Sequence, residues 1–115
     1  MEQQWVEFRI IPEHENYVIT KKGQVYRNLG NSLRRIKTDL STGYERVELD
    51  GKKIAVHRLV AEAFCEKKSP DQDKVFHIDG DVRNNTAENL CWGTPSEIQI
   101  WSHYSLNYRQ LYFSP

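Results

Sequence analysis

The run Val75-Phe76-His77-Ile78-Asp79-Gly80, followed by Asn84-Asn85 and Glu88-Asn89-Leu90-Cys91-Trp92, concentrates this chain's chemistry in one short segment. An imidazole titrates near neutral pH, a carboxylate ligates a hard cation, and a carboxamide can hold either in place. Asp79 and Asp81 sit close to His77, near enough to serve as ligands, although capping the loop is the commoner task of such carboxylates. Asn89 is suited to fixing the loop backbone or His77 itself. Of the other histidines, His57 opens a helix, where it caps or hydrogen-bonds toward this segment. His103 projects from a different part of a second helix than Ile98, and His14 is a surface residue.

The elements around the segment must position it. Val75 to Ile78 reads as a strand, Asp79 to Glu88 as a loop whose Asp, Asn and Gly residues satisfy their own backbone, and Leu90 to Gly93 as the partner strand. Thr94-Pro95-Ser96-Glu97 starts a helix: Thr94 caps, Pro95 takes the first helical position, and Glu97 closes a capping box. That helix is expected to reach about Tyr104. The segment is thus a β-β-α unit. Upstream, Leu59, Val60, Ala63 and Phe64 recur at helical spacing, which predicts an amphipathic helix over 57–65. The polar stretch 66–74 stops it.

The first half predicts short strands forming a small twisted sheet. Tyr17–Thr20 and Gln24–Tyr26 flank Lys21-Lys22-Gly23, with the glycine placed for positive φ. Tyr44–Leu49 and Lys53–Val56 flank Asp50-Gly51, a strong hairpin signal. The expected fold class is α+β, with a β-rich module over 1–55, a β-β-α domain over 56–104 and a tail over 105–115.

Composition narrows the function classes. The 115 residues suit one compact domain or a core with an appendage, and three Trp, six Tyr and four Phe supply a modest core. No apolar run approaches the ~20 residues of a membrane span, and the N-terminus lacks signal-peptide character. Cys65 and Cys91, the only cysteines, form no CxxC pair, which argues against structural zinc and suits a reducing cytoplasm. The formal net charge is zero, yet nine Lys or Arg face four Asp or Glu between Lys21 and Lys53. Arg34, Arg35, Lys37 and Arg46 in that basic stretch are candidate phosphate contacts, with solvated surface as the plain alternative.

Val56-His57-Arg58-Leu59-Val60-Ala61-Glu62-Ala63-Phe64, His77-Ile78-Asp79-Gly80, Asn84-Asn85, Glu88-Asn89-Leu90, Trp92 and Thr94-Pro95-Ser96-Glu97 resemble phage and intron-encoded HNH homing endonucleases. Trp5, Ile11-Pro12, Glu15-Asn16-Tyr17-Val18, Gly23-Gln24-Val25 and Gly43-Tyr44 resemble the small module that commonly precedes that nuclease domain. The resemblance covers roughly residues 5–97. It implies His77 as the general base that deprotonates the attacking water, and Asn89 as the residue orienting the imidazole. It also implies Mg²⁺ or Mn²⁺ held by oxygens at two positions, which fall here on Phe76 and Ile98.

Neither of those side chains can coordinate a hard cation. The expectation is therefore a degenerate site that binds no metal tightly, with Mg²⁺ or Mn²⁺ used only if catalysis is retained. Double-stranded DNA is the expected partner, in the cytoplasm of an infected host cell. No membrane and no small-molecule substrate are expected. Three functions compete: an endonuclease working with an unorthodox ligand set, a DNA-binding module without cleavage, and a phage inhibitor that binds a host protein.

Overall fold

Short alternating segments build the N-terminal half as two sheets. β1 (Phe8–Ile11), β2 (His14–Thr20), β3 (Val25–Asn28) and β4 (Leu33–Arg35) form a four-stranded antiparallel meander in chain order. Tyr17, Ile19 and Val25 turn to its buried face and join Ile11 in the core. β1 and β4 are largely exposed edge strands whose sequences carry no clean alternation, so only pairing with a neighbour marks them as strands. The computed structural model describes residues 7–100. Trp5, His103, the expected end of the second helix near Tyr104, and the tail over 105–115 lie outside the described residues.

The two predicted hairpins form. Gly23 closes the β2–β3 turn at φ 83. β5 (Arg46–Leu49) and β6 (Lys52–Ala55) pair around Asp50-Gly51, whose φ values of 51 and 83 give a primed turn matching the strand twist. This hairpin is a separate two-stranded sheet, so the single sheet expected for the first half is two. Alternation sends Val47 and Leu49 into the core and puts the half-buried Arg46 and the exposed Glu48 on the other face.

α1 (Val56–Phe64) follows β6 directly and buries Val56, Leu59, Val60 and Ala61. Its N-cap is Ala55, which makes no side-chain cap bond, so His57 lies inside the first turn and does not cap it. The Trp92 indole N–H donates to the Ala61 and Cys65 carbonyls at 3.2 and 3.1 Å, tying the end of α1 to the last strand. β7 (Lys74–His77) pairs antiparallel with β8 (Leu90–Gly93), and a 3₁₀ turn over Ala87–Asn89 leads into β8.

The second helix starts at residue 95. The Thr94 N–H donates to Glu97 Oε1 at 2.9 Å and the Glu97 N–H to Thr94 Oγ1 at 3.1 Å, the reciprocal capping box read from the sequence. One core joins the halves: Ile19, Val25, Val47 and Leu49 pack with Val56, Leu59, Val60 and Leu90. Among the described residues no helix is long and apolar enough to cross a membrane.

Candidate functional site: a histidine cleft

His77 ends β7, where the strand hands over to the polar loop. Its Nε2–H donates to Asn85 Oδ1 at 2.7 Å. The Asn85 amide donates in turn to Glu45 Oε1 at 3.2 Å, and Glu45 Oε2 accepts from the Thr38 hydroxyl at 3.0 Å. With Nε2 carrying the proton, the basic lone pair of the neutral ring lies on Nδ1. Asn85 is buried, and the β2–β3 turn closes over it: a Cβ on Gly23 would meet the Asn85 carbonyl oxygen at 3.2 Å. Asn85 orients His77 from the loop, and the groups that hold Asn85 in place, Glu45 and the Gly23 turn, come from the N-terminal half.

Asn89 does different work. Its Nδ2 donates to Asp79 Oδ1 and to the Asn84 carbonyl, both at 2.9 Å, and its Oδ1 accepts from the Asp79 N–H at 3.0 Å. Its amide is used up inside the loop, so Asn85, not Asn89, holds the imidazole. Asp79 also accepts from the Asp81 N–H and the Asn84 amide, and Asp81 accepts from the Arg83 N–H. These carboxylates take the loop-capping role.

A second imidazole meets the first. The His57 ring lies edge-on to His77 with centroids 5.0 Å apart, and Tyr44 stands 5.5 Å from His57 and 6.4 Å from His77. His57 therefore reaches the β-β-α unit by ring contact, and its buried Nδ1 has no partner among the described residues. Burial, then the positive charges available at His77 and Arg58, hold His57 well below the usual histidine range, at about 4. His57, His77, Tyr44 and Arg46 line one cleft of ≈ 470 Å³, with Phe76 and Ile98 at its apolar end. His57 and Tyr44 carried no catalytic spacing in the sequence; the packing of α1 on β7 brings His57 to His77, and Tyr44 follows by its ring contact with His57.

Phe76 and Ile98 converge on Gly93. A Cβ there would meet Phe76 Cε1 at 3.1 Å and Ile98 Cγ1 at 3.4 Å. The basic residues fall in two places. Arg34 and Arg35 lie on β4 and Lys37 just after it, all exposed, whereas Arg46 is on β5, 3.4 Å from Asp39 and inside the cleft wall.

A family model described as HNH endonuclease matches residues 54–99, the hairpin's second strand through the start of the second helix. The fold superposes on a solved structure of the HNH homing endonuclease I-HmuI with a TM-score of 0.71 at 33% identity, covering 88% of this chain and 59% of that one. The chain belongs to the HNH endonuclease family. DNA endonuclease I-HmuI of Bacillus phage SP01 is 38% identical over 77% of this chain and 53% of the relative. H-N-H endonuclease F-TflII of Escherichia phage T5 is 32% identical over 81% and 50%. An uncharacterized HNH endonuclease, L245, of Acanthamoeba polyphaga mimivirus is 35% identical over 78% and 28%. This chain spans about half or less of the curated relatives it matches.

The residues present do not fit the divalent cation that membership implies. At the two positions where an HNH core is expected to offer ligands, Phe76 and Ile98 present only carbon, and they pack onto each other's neighbour Gly93. Asp79 and Asp81 are turned into the loop backbone. Among the described residues no three His, Cys, Asp or Glu side chains converge where a metal could sit.

Proposed function

We propose that this protein is a phage-type HNH scaffold, directed to nucleic acid, whose metal-dependent phosphodiester cleavage is impaired or lost. The observation that carries the reading is the packing of Phe76 and Ile98 around Gly93, which fills the ligand positions with hydrocarbon. His77 keeps an oriented imidazole, held by Asn85, but among the described residues no three His, Cys, Asp or Glu side chains gather with it to hold a cation. Duplex DNA is the proposed partner, and the cytoplasm of the infected cell the proposed location. DNA contact is assigned to the β3–β4 ribbon. Arg27 and Arg34 are direct cross-strand partners there, an arrangement that costs stability between like charges. No described acid pairs with Arg27, Arg34, Arg35 or Lys37, so this positive charge is available to phosphates.

The deciding experiment incubates supercoiled plasmid with the protein in Mg²⁺ or Mn²⁺, beside a His77→Ala control. No metal-dependent nicking is expected. Nicking that disappears in the control would restore an active endonuclease. The rival reading, a scaffold reused to inhibit a host protein, draws on the zero net charge, and absence of salt-sensitive duplex binding would favour it.

A further inference from the structure

The polar contacts behind His77 run in one direction, and a single residue gives them that direction. The members are Thr38, Glu45, Asn85 and His77. A threonine hydroxyl donates or accepts, a carboxamide turns over to present either its donors or its acceptor, and a neutral imidazole carries its proton on either nitrogen. Only the Glu45 carboxylate has no such choice, because it accepts and never donates. It takes the Asn85 Nδ2–H on Oε1 at 3.2 Å and the Thr38 hydroxyl on Oε2 at 3.0 Å. With its amide nitrogen committed to Glu45, Asn85 turns Oδ1 to His77. An acceptor 2.7 Å from Nε2 requires a proton there.

The fold builds this placement. The Glu45 carbonyl accepts from the Val56 N–H at 2.9 Å, which pins Glu45 beside the start of α1, and the bridge between Asp39 and Arg46 brings Thr38 alongside. Asn85 is held as firmly. It is buried, the Gly23 turn closes on it, and the Ala87 N–H donates to the Lys21 carbonyl at 2.8 Å, which docks the loop on that same turn. Arg35 and Lys37 line a hollow together with Glu45, yet among the described residues no ion pair involves Glu45. Its oxygens serve Thr38 and Asn85 instead. Thr38 and Glu45 both lie outside residues 54–99, the segment that the HNH model matches.

We propose that Glu45 is a positioning residue that sets the tautomer of His77 through Asn85, keeping the proton on Nε2 and the basic lone pair on Nδ1. A general base works only through an unprotonated nitrogen held in a fixed place. In this chain a carboxylate of the N-terminal half imposes that condition on the histidine of the HNH core, by way of Asn85. A side chain in its place that donates and cannot accept would turn the Asn85 amide over. The Asn85 NH₂ would then face Nε2 and drive the proton to Nδ1. A single proton is at issue, and its place is independent of whether cleavage survives.

The test reads the His77 ring nitrogens of the full chain by proton–nitrogen correlation NMR, in alkaline buffer where imidazole is neutral. The parent should show one tautomer, with Nε2 protonated. Glu45→Gln should keep it, because the new carbonyl still accepts from Asn85 while its NH₂ donates to the Thr38 hydroxyl. Glu45→Lys, which brings donors and no acceptor, should exchange the two nitrogen signals, the lone-pair position passing to Nε2. A merely structural role for Glu45 would lower stability in these variants and exchange no signals. A parent with its proton on Nδ1, or a folded Glu45→Lys protein that keeps it on Nε2, would overturn the assignment. If Glu45→Lys does not fold, Glu45→Ala decides. Water both donates and accepts, so the His77 signals should move toward the average of two tautomers, and unmoved signals refute the proposal. Plasmid nicking is scored separately: a tautomer set by Glu45 in a protein that cuts DNA fully would remove the reading of impaired cleavage and leave this one standing.

Discussion

Replacing Phe76 by Asp and Ile98 by Asn together tests whether the ligand positions still have nuclease geometry. Both side chains are half-buried against Gly93. Losing half of a full burial worth ~1.5–3 kcal/mol at each position removes ~2 kcal/mol in all. An unpartnered polar group in the vacated space adds ~1 kcal/mol or more. The double variant should therefore be ~3 kcal/mol less stable, a melting drop of ~12–24 °C for a domain of this size. If the new oxygens converge, Mn²⁺ or Mg²⁺ at a hundredfold its dissociation constant restores ~2.7 kcal/mol, nearly all of the loss. Thermal melts of the double variant and the parent, with and without each metal, make the measurement. Metal should raise the variant's midpoint and leave the parent's unmoved. A folded double variant whose midpoint ignores both metals would refute the argument, because the β8–helix junction would then no longer aim those two positions at one point.

Gly93→Ala places a Cβ 3.1 Å from the Phe76 ring edge, and it should cost ~1–2 kcal/mol in chemical denaturation. Adding Phe76→Leu should return part of that cost, and strictly additive effects would mean the contact is absent. His57, held at about 4 against an ordinary 6.5, contributes nothing to the pH dependence above both values. As pH falls below 6.5 the unfolded chain gains a proton that the folded chain refuses, so stability declines until about pH 4 and then levels. The full span would be ~3 kcal/mol for a dry site, cut to ~1–2 kcal/mol by the solvent that reaches this half-buried ring. His57→Phe should flatten that slope in denaturation curves between those pH values, and an unchanged slope would contradict it. Replacing Arg34, Arg35 and Lys37 by Ala should weaken duplex binding and flatten its log–log salt dependence by up to about one unit per lost phosphate contact. Equal affinity and slope would move the interface elsewhere.

Local chemistry made much of this protein legible in its sequence. Asp50-Gly51 dictates a tight hairpin because both residues tolerate positive φ, and Thr94-Pro95-Ser96-Glu97 dictates a helix start because its side chains satisfy orphan backbone groups. The ordered matches around His77 pointed to the HNH family before any fold was known, and Phe76 and Ile98 showed by residue type alone that no hard-cation ligand stands at either position. Tertiary structure decided what distance along the chain conceals. β1 and β4 exist because they pair with neighbours, not because their own residues demand a strand. The sequence offered Asn89 as the orienting residue, yet Asn85 and Asn89 are equivalent as residue types, and only the fold's register turns Asn85 to the imidazole, where Glu45 and the Gly23 turn lock it, while Asn89 is absorbed by the loop. The cleft itself is a tertiary object: Arg46 on β5 and His57 on α1 are far from His77 in sequence, and α1, packed against both β6 and β7, brings them to one cleft. Hydrogen-bond patterns within a turn or cap are set by neighbouring residues, whereas the partner of a buried side chain is set by whichever element the core brings beside it.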